Sequence, residues 1–373
     1  MNQLAQMLAD RIEASGPMTF AEYMRSALYD PTHGYYRSGS ERTGWRGDYL
    51  TSPEIDPAFG ILWTQGFAEI WEQCGRPDEF HLVEVGPGEG GLASAVVSSV
   101  SGDFSHALTL ELVEIDPERR ARQRSRLGTE PTWHDAIEKV QPFAHGCVFL
   151  NEVLDNQPVE LLRKQDGTVT QLHVIKSSDG LAPEWLPCDD PGLIRRANAN
   201  GPPGTVLEVS PDAEDLVRRC TRLVGRGGLV IVDYGRRSSA TTLVSYSKAG
   251  TDDRWLEDPG TKDITAHVDW SAISSICERE GLETAGPRRQ REVLQSLGAR
   301  DLDDGLRKEH DAAIESGSGA IAVRVLSRRQ ALRALVDPGG LGGLDMLAAL
   351  KEIDAPDFLK QELKREPGRE TAS

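Results

Sequence analysis

The chain has 373 residues, of which 38% are apolar and 27% charged; 42 basic against 59 acidic side chains give a net charge of −17. This composition belongs to a folded globular protein and excludes a disordered or fibrous chain. The negative field disfavours non-specific binding to nucleic acid or anionic membrane, and no apolar run is long enough to span a bilayer.

The first residues, MNQLAQMLADRIEASG, lack a basic region, and Asp10 and Glu13 interrupt any apolar core, so they do not read as a signal peptide. The cytoplasm is the expected location. Leu4, Met7, Leu8 and Ile12 fall at helical spacing, and the helix should end near Ser15-Gly16-Pro17. A second helix opens on a capping box, Thr19 with Glu22, flanked by Met18 and Tyr23 as a hydrophobic staple, and stops before Asp30-Pro31. Ser52-Pro53 and Asp56-Pro57 are both cap-plus-proline starts, so one of them begins a helix running to about Cys74. Residues 1–60 are read as an N-terminal helical cap.

From residue 80 strand-like and helical runs alternate: FHLVEVG, a helix over 91–100, LTLELVEID, the Arg-rich helix ERRARQRSRL, CVFLNEV and, later, GGLVIVDYG. Such alternation predicts an α/β protein with a doubly wound parallel sheet. Asp166-Gly167 between β-rich flanks predicts a hairpin, part of a lobe inserted at about 156–205 into a main domain of 61–350. TVLEVS is a further strand, AEDLVRRCTRLVG a helix stopped by Gly225, and Asp269 caps a late helix. Residues 351–373 form a tail, frayed from about 365. The five cysteines form no CxxC pair, which argues against a disulfide framework or a metal site.

The loop in LVEVGPGEGGLASAV satisfies two patterns. Gly86, Gly88 and Gly91 fit GxGxxG; Gly86, Gly88 and Gly90 fit GxGxG. Charge separates the ligands. A pyrophosphate wants no carboxylate nearby, yet Glu84 sits in the strand and Glu89 in the loop. S-adenosylmethionine carries an ammonium and a sulfonium and no phosphate, so a buried acid suits it. A dehydrogenase is thereby made the weaker reading. Glu114 at the end of the second strand is placed to accept both ribose hydroxyls; Asp116 is the alternative, or a cap before Pro117. Asp135 is placed to meet an adenine amino group, or to cap the helix AIEKV. At the end of the third strand Asn151, Glu152 and Asp155 crowd where a methyl acceptor would lie, and two carboxylates there suit a guanidinium. The alternative for Asn151 and Asp155 is a turn-holding role.

GPMTFAEYM, DPTHGYY, GDYLTSPEI, LVEVGPGEG, NEVLDNQPV, LEVSPD, VDYG and DITAHVDW follow one another in the order seen in the MidA-like methyltransferases, and over roughly residues 15 to 350 the chain resembles that family. The family includes a mitochondrial complex I assembly-factor arginine methyltransferase. The resemblance implies a class I methyltransferase, Rossmann-like sheet with an added lobe, and S-adenosyl-L-methionine as cofactor. It implies cofactor binding by Gly86, Pro87, Gly88 and Gly90, with Glu114 as the ribose acid. It implies that GDYLTSPEI, with Asp48, Ser52 and Glu54, folds over the crevice. His267 of DITAHVDW is a candidate crevice residue for the substrate, as is Glu54; the alternative for His267 is a surface histidine before a helix cap. It suggests protein arginine as acceptor, by resemblance in a respiratory-complex subunit, and leaves the oligomeric state open.

The acceptor half departs from the family more than the cofactor half. Relatives often carry Arg at the position of Glu89, NEFFDALPV where this chain has NEVLDNQPV, a basic stretch ending in His where it has SYSKAG, and a Met-Gly-x-Leu-Phe-Lys pattern where it has LGGLDML. A small-molecule methyltransferase and a non-catalytic assembly chaperone retaining the cofactor site are therefore the competing readings.

Overall fold

The computed structural model describes residues 2–37, 51–200, 204–235, 241–247 and 250–360. Its centre is a seven-stranded sheet of β1 (Phe80–Val85), β2 (Leu108–Val113), β3 (Thr132–His134), β4 (Phe143–Asn151), β5 (Val224–Asp233), β6 (Glu283–Arg289) and β7 (Asp345–Lys351), in the order β3-β2-β1-β4-β5-β7-β6. The first five strands are parallel, and β7 runs antiparallel between β5 and β6.

Both faces of this sheet are buried, which is why its strands read as continuous apolar runs rather than as alternation. Period two still sorts the residues by face. Phe80, Leu82, Phe149, Val230 and Val232 enter one apolar cluster; Val83, Val85, Val148, Leu150, Leu229 and Ile231 enter the other. Each such fully buried side chain contributes roughly 1.5–3 kcal/mol. Glu84 stands between these partners in β1, buried like them.

The helices follow the expected signals. In α1 (Gln3–Ser15), Leu4, Leu8 and Ile12 form the buried stripe. α2 (Phe20–Tyr29) has its capping box, with Met18 and Tyr23 buried as the staple. Both proline starts are used: α3 (Ser52–Ile55) takes the first, and Asp56 caps α4 (Ala58–Gln73) by accepting the Ala58 amide at 2.8 Å. α5 (Gly91–Ser99) follows the glycine loop, and α6 (Pro117–Leu127) follows β2. α6 is polar but buries Arg119, Gln123 and Leu127, four residues apart on one face.

Gly225 does not stop a helix. The helix α7 (Pro211–Leu223) passes directly into β5, and a Cβ on Gly225 would stand 2.8 Å from the Phe143 carbonyl, so the glycine serves strand packing.

The expected hairpin joins Glu160–Gln165 to Thr168–Ser177, with Asp166 and Gly167 both at positive φ. Gly180–Pro187, Val206–Val209 and the short Met18–Thr19 strand complete its sheet. α1, α2, the inner face of this lobe, and Leu243 and Ile264 share one apolar cluster. The lobe and N-terminal helices are thus packed as a single cover over the C-terminal ends of the parallel strands. Residues 361–373, which include the expected frayed end, lie outside the described residues. All five cysteines are buried and free.

Candidate active site

A cavity of about 460 Å³ opens at the C-terminal ends of β1, β2 and β4, where the strand order reverses between β1 and β4. In open α/β sheets this switch point is where ligands bind. Its floor includes Glu84, Gly86–Gly88, Glu114, Asp135 and Asn151–Val153; the cover contributes Arg25, Tyr29, Tyr36 and Arg37.

The loop after β1 turns on Gly86, Gly88 and Gly90, all at positive φ. A Cβ on Gly88 would point into open space, so the backbone there can approach a ligand closely. Gly86, Pro87 and Gly88 line the cavity, whereas Gly90 packs on Gln123. Glu84 is 3% exposed, and its Oε2 has no hydrogen-bond partner among the described residues. Burial, reinforced by the charge of Glu54, pushes its carboxyl up to about 8. The carboxylate accepts the Ala93 amide, but a buried carboxylate oxygen left unbonded is costly, and a ligand ammonium would satisfy it. The donor set therefore fits a cationic, phosphate-free ligand. Glu89 does not share this role: Arg122 grips it at 2.8 and 3.1 Å, with Arg119 at 3.6 Å. The charge argument rests on Glu84 alone.

Glu114 and Asp116 are placed differently. Asp116 caps α6, accepting the Glu118 amide at 3.0 Å. Glu114 is buried at the cavity wall, its Oε1 accepting the Asp116 amide at 2.8 Å and its Oε2 near Gln123 and Arg119. Burial raises its pKa, against the pull of Arg119. Gln123 links this wall to the loop by donating to the Gly88 carbonyl at 2.8 Å while accepting from Trp133. Asp135 lines the cavity and pairs with Lys139; the short 3₁₀ turn Ile137–Lys139 is not capped by it.

At the end of β4, Asn151 donates to Glu152 Oε1 at 2.9 Å, and the Ser52 amide reaches the same oxygen at 3.4 Å. The Tyr234 hydroxyl bonds Glu152 as well, while burial and the charge of Asp233 push the Glu152 carboxyl up to about 7. Glu152 and Asn151 face the cavity; Asp155 does not line it. Asp155 is buried behind them, its pKa raised well above the ordinary range by burial and by Asp233, Asp263 and Glu152.

The GDYLTSPEI segment is only partly described, and Asp48 lies outside the described residues. Ser52 is fully buried and bonds Gln290 at 3.0 Å, so its hydroxyl is turned away from the cavity, because α3 packs against that glutamine. Glu54 lines the cavity, but its oxygens are engaged by the Gly91 amide and Arg126. His267 is not in this cavity. Its ring stacks near Tyr234 at 6.0 Å and lines a separate 250 Å³ cavity under the lobe, because the 266–268 segment runs along the far side of Tyr234.

The sequence reading expected an N-terminal cap but named none of the side chains it brings to the cavity. Tyr29 and Tyr36 stack at 5.6 Å over the cavity; Tyr29 donates to the Asn156 carbonyl and Tyr36 to Asp263. Arg37 donates to the Ile115 carbonyl at 2.6 Å, and Arg25 bridges to Asp212 at 2.7 Å across the mouth. DPTHGYY carried the only signal, an exposed-looking loop rich in tyrosine.

Comparison with known proteins agrees with this geometry. Residues 63–288 match a family described as S-adenosyl-L-methionine-dependent methyltransferase. The chain is 30% identical over 337 residues to a Drosophila melanogaster protein named protein arginine methyltransferase NDUFAF7 homolog, mitochondrial, covering 79% of this chain and 74% of that one. A Mus musculus protein named protein arginine methyltransferase NDUFAF7, mitochondrial, is 29% identical over 335 residues, covering 80% and 75%. A Burkholderia thailandensis structure bound to S-adenosyl-homocysteine superposes with a TM-score of 0.83 at 26% identity, covering 95% and 94%. The names of the curated relatives place them in mitochondria, which overturns the cytoplasmic expectation; that expectation rested on the residue types of the first segment, which do not decide location.

Proposed function

We propose that this chain, which belongs to the S-adenosyl-L-methionine-dependent methyltransferase family, methylates an arginine side chain of a protein. The bound cofactor supplies an electrophilic methyl group. Glu84 takes the ammonium, the Gly86–Gly88 backbone lies along the cofactor, Glu114 takes the ribose hydroxyls and Asp135 meets the adenine edge. Asn151 and Glu152 hold the guanidinium. A charged guanidinium is a poor nucleophile, and Glu152 draws its charge toward the nitrogens that do not react. Alignment and exclusion of water by the tyrosine cover account for the rest of the acceleration.

One observation carries this reading: the acceptor end of the cavity is walled by Glu152, with Asp155 and Asp233 buried behind it. Such a wall selects a cation. The names of the relatives support arginine in a protein, and the net charge of −17 speaks against a nucleic acid acceptor. The family resemblance makes a respiratory-complex subunit the first acceptor to test.

The test is methyl transfer from labelled cofactor into a lysate of cells lacking this gene. Label in one protein, released as methylated arginine on hydrolysis, is expected. Label confined to small metabolites would replace this reading with a small-molecule acceptor.

A further inference from the structure

Asp233 ends β5 and is fully buried. Its Oδ2 accepts the amides of Val153 and Leu154 at 3.1 and 2.9 Å, and its Oδ1 accepts the Tyr234 amide at 2.8 Å. The first two amides belong to the turn that Glu152 enters with φ at 54°, the left-handed region. That conformation costs a residue with a side chain roughly 1–2 kcal/mol and persists only where its surroundings enforce it. The Glu152 amide is itself fixed on the Val232 carbonyl at 2.8 Å. β5 therefore grips the turn on both sides of Glu152, by a carbonyl before it and a carboxylate after it.

We propose that Asp233 is a positioning residue for methyl transfer: its carboxylate locks the left-handed turn that aims Glu152 into the cavity, and its charge tunes that of Glu152. The proposal rests on the acceptor role given to Glu152 above. An asparagine has a single acceptor oxygen and cannot hold all three amides, so the anchor itself calls for a carboxylate and thereby sets a second buried charge beside Glu152. The charged and titratable groups facing Glu152 are Asp233 from β5, Asp155 from its own turn, and Tyr234 and Tyr246 from the segments beyond β5. Asp233 is the like charge that acts on it most, and the carboxyl is pushed up to about 7.

The experiment follows side-chain carboxyl and backbone amide resonances of the full chain through a pH titration, with Glu152 assigned by its loss in Glu152→Gln. In the wild type, the amides of Val153, Leu154 and Tyr234 should shift together in one titration. In Asp233→Asn, the Glu152 midpoint should fall by about one pH unit, because a like charge has gone. Cofactor affinity by calorimetry should stay within about twofold while methyl transfer, compared at a pH above about 8 where Glu152 is ionised in both proteins, falls by about tenfold or more, a loss of positioning confined to the transfer step. An unchanged Glu152 midpoint in Asp233→Asn overturns the proposal. If that variant does not fold, three wild-type amides that fail to titrate together overturn it instead. Neither resonance measurement needs an acceptor, so absence of methyl transfer by the wild type would count against the arginine reading and leave the positioning role separately decided.

Discussion

The Glu54 carboxylate accepts the Gly91 amide at 2.9 Å, so a side chain from the short helix ahead of α4 caps the first turn of α5. Its other oxygen takes Arg126 at 2.6 Å. The contact is close because residue 91 has no side chain: a Cβ there would lie 2.2 Å from the Pro53 carbonyl and 2.6 Å from Glu54. Gly91→Ala must force α3 and α5 apart and so disturb Pro53 and Glu54, which line the cavity. We expect a loss of about 1–3 kcal/mol of stability, the usual cost of overpacking, together with weaker cofactor binding. Denaturant unfolding and calorimetry measure the two, and an alanine variant with unchanged values in both would refute the tie between α3 and the cofactor loop.

Glu84 makes the second prediction, and its sign follows from its pKa. The carboxyl is raised to about 8, so between the ordinary carboxyl range and about 8 the folded chain keeps a proton that the unfolded chain has lost. Stability of the cofactor-free protein from this group therefore falls as pH rises through that window. A cation against the free oxygen favours ionisation, so cofactor binding should release a proton and tighten as pH rises from about 6 to about 8. Glu84→Gln should bind the cofactor at least about tenfold more weakly, by loss of a charge-assisted bond of about 1.5–3 kcal/mol, and should flatten the pH dependence. Calorimetry in buffers of differing ionisation enthalpy counts the proton; none released in the wild type would dismiss Glu84 as the ammonium partner.

Glu114 and Asp116 allow a matched comparison. Both are buried acids at the same loop, one at the cavity and one on a helix start. Asp116→Ala should cost about 1 kcal/mol as a lost cap and leave cofactor affinity within about twofold. Glu114→Ala should lower that affinity by about 10–100-fold, the worth of hydrogen bonds to a charged group. Reversal of the two effects would exchange the roles assigned to them.

The parallel strands were legible because a strand buried on both faces cannot hide its apolar run, and the caps at Thr19, Asp116 and Asp269 were legible because capping is local. What failed depended on distant chain. Glu89 looked like a ligand acid until Arg122, 33 residues on, was seen to hold it. Ser52 and His267 sit in motifs shared with relatives, yet Gln290 takes the first and the lobe cavity takes the second. DMLAALK, with two alanines and no β-branched residue, carries no strand preference of its own; it becomes β7 because β5 and β6 flank it. Asp233 was quoted only as part of VDYG, and nothing local announces that it accepts amides from a turn eighty residues earlier.

Glu152 brings strain and charge together at one residue. Its positive φ favours glycine, so Glu152→Gly should relieve the backbone and remove a buried acid, raising stability by about 1 kcal/mol. The same variant should lose methyl transfer almost wholly, with cofactor affinity retained. Glu152→Gln keeps the strain and removes only the charge; it should lower transfer by on the order of a hundredfold, comparable to loss of one preorganised electrostatic group. With the wild-type carboxyl at about 7, transfer should rise with pH through neutrality as Glu152 ionises, and the glutamine variant should lose that limb of the profile. A strained, charged residue kept where glycine would fold better is the pattern of a site in which function outweighs stability. Thermal unfolding of the glycine variant beside initial rates of both variants checks this directly: a glycine variant that is both less stable and fully active would leave Glu152 with a structural role alone.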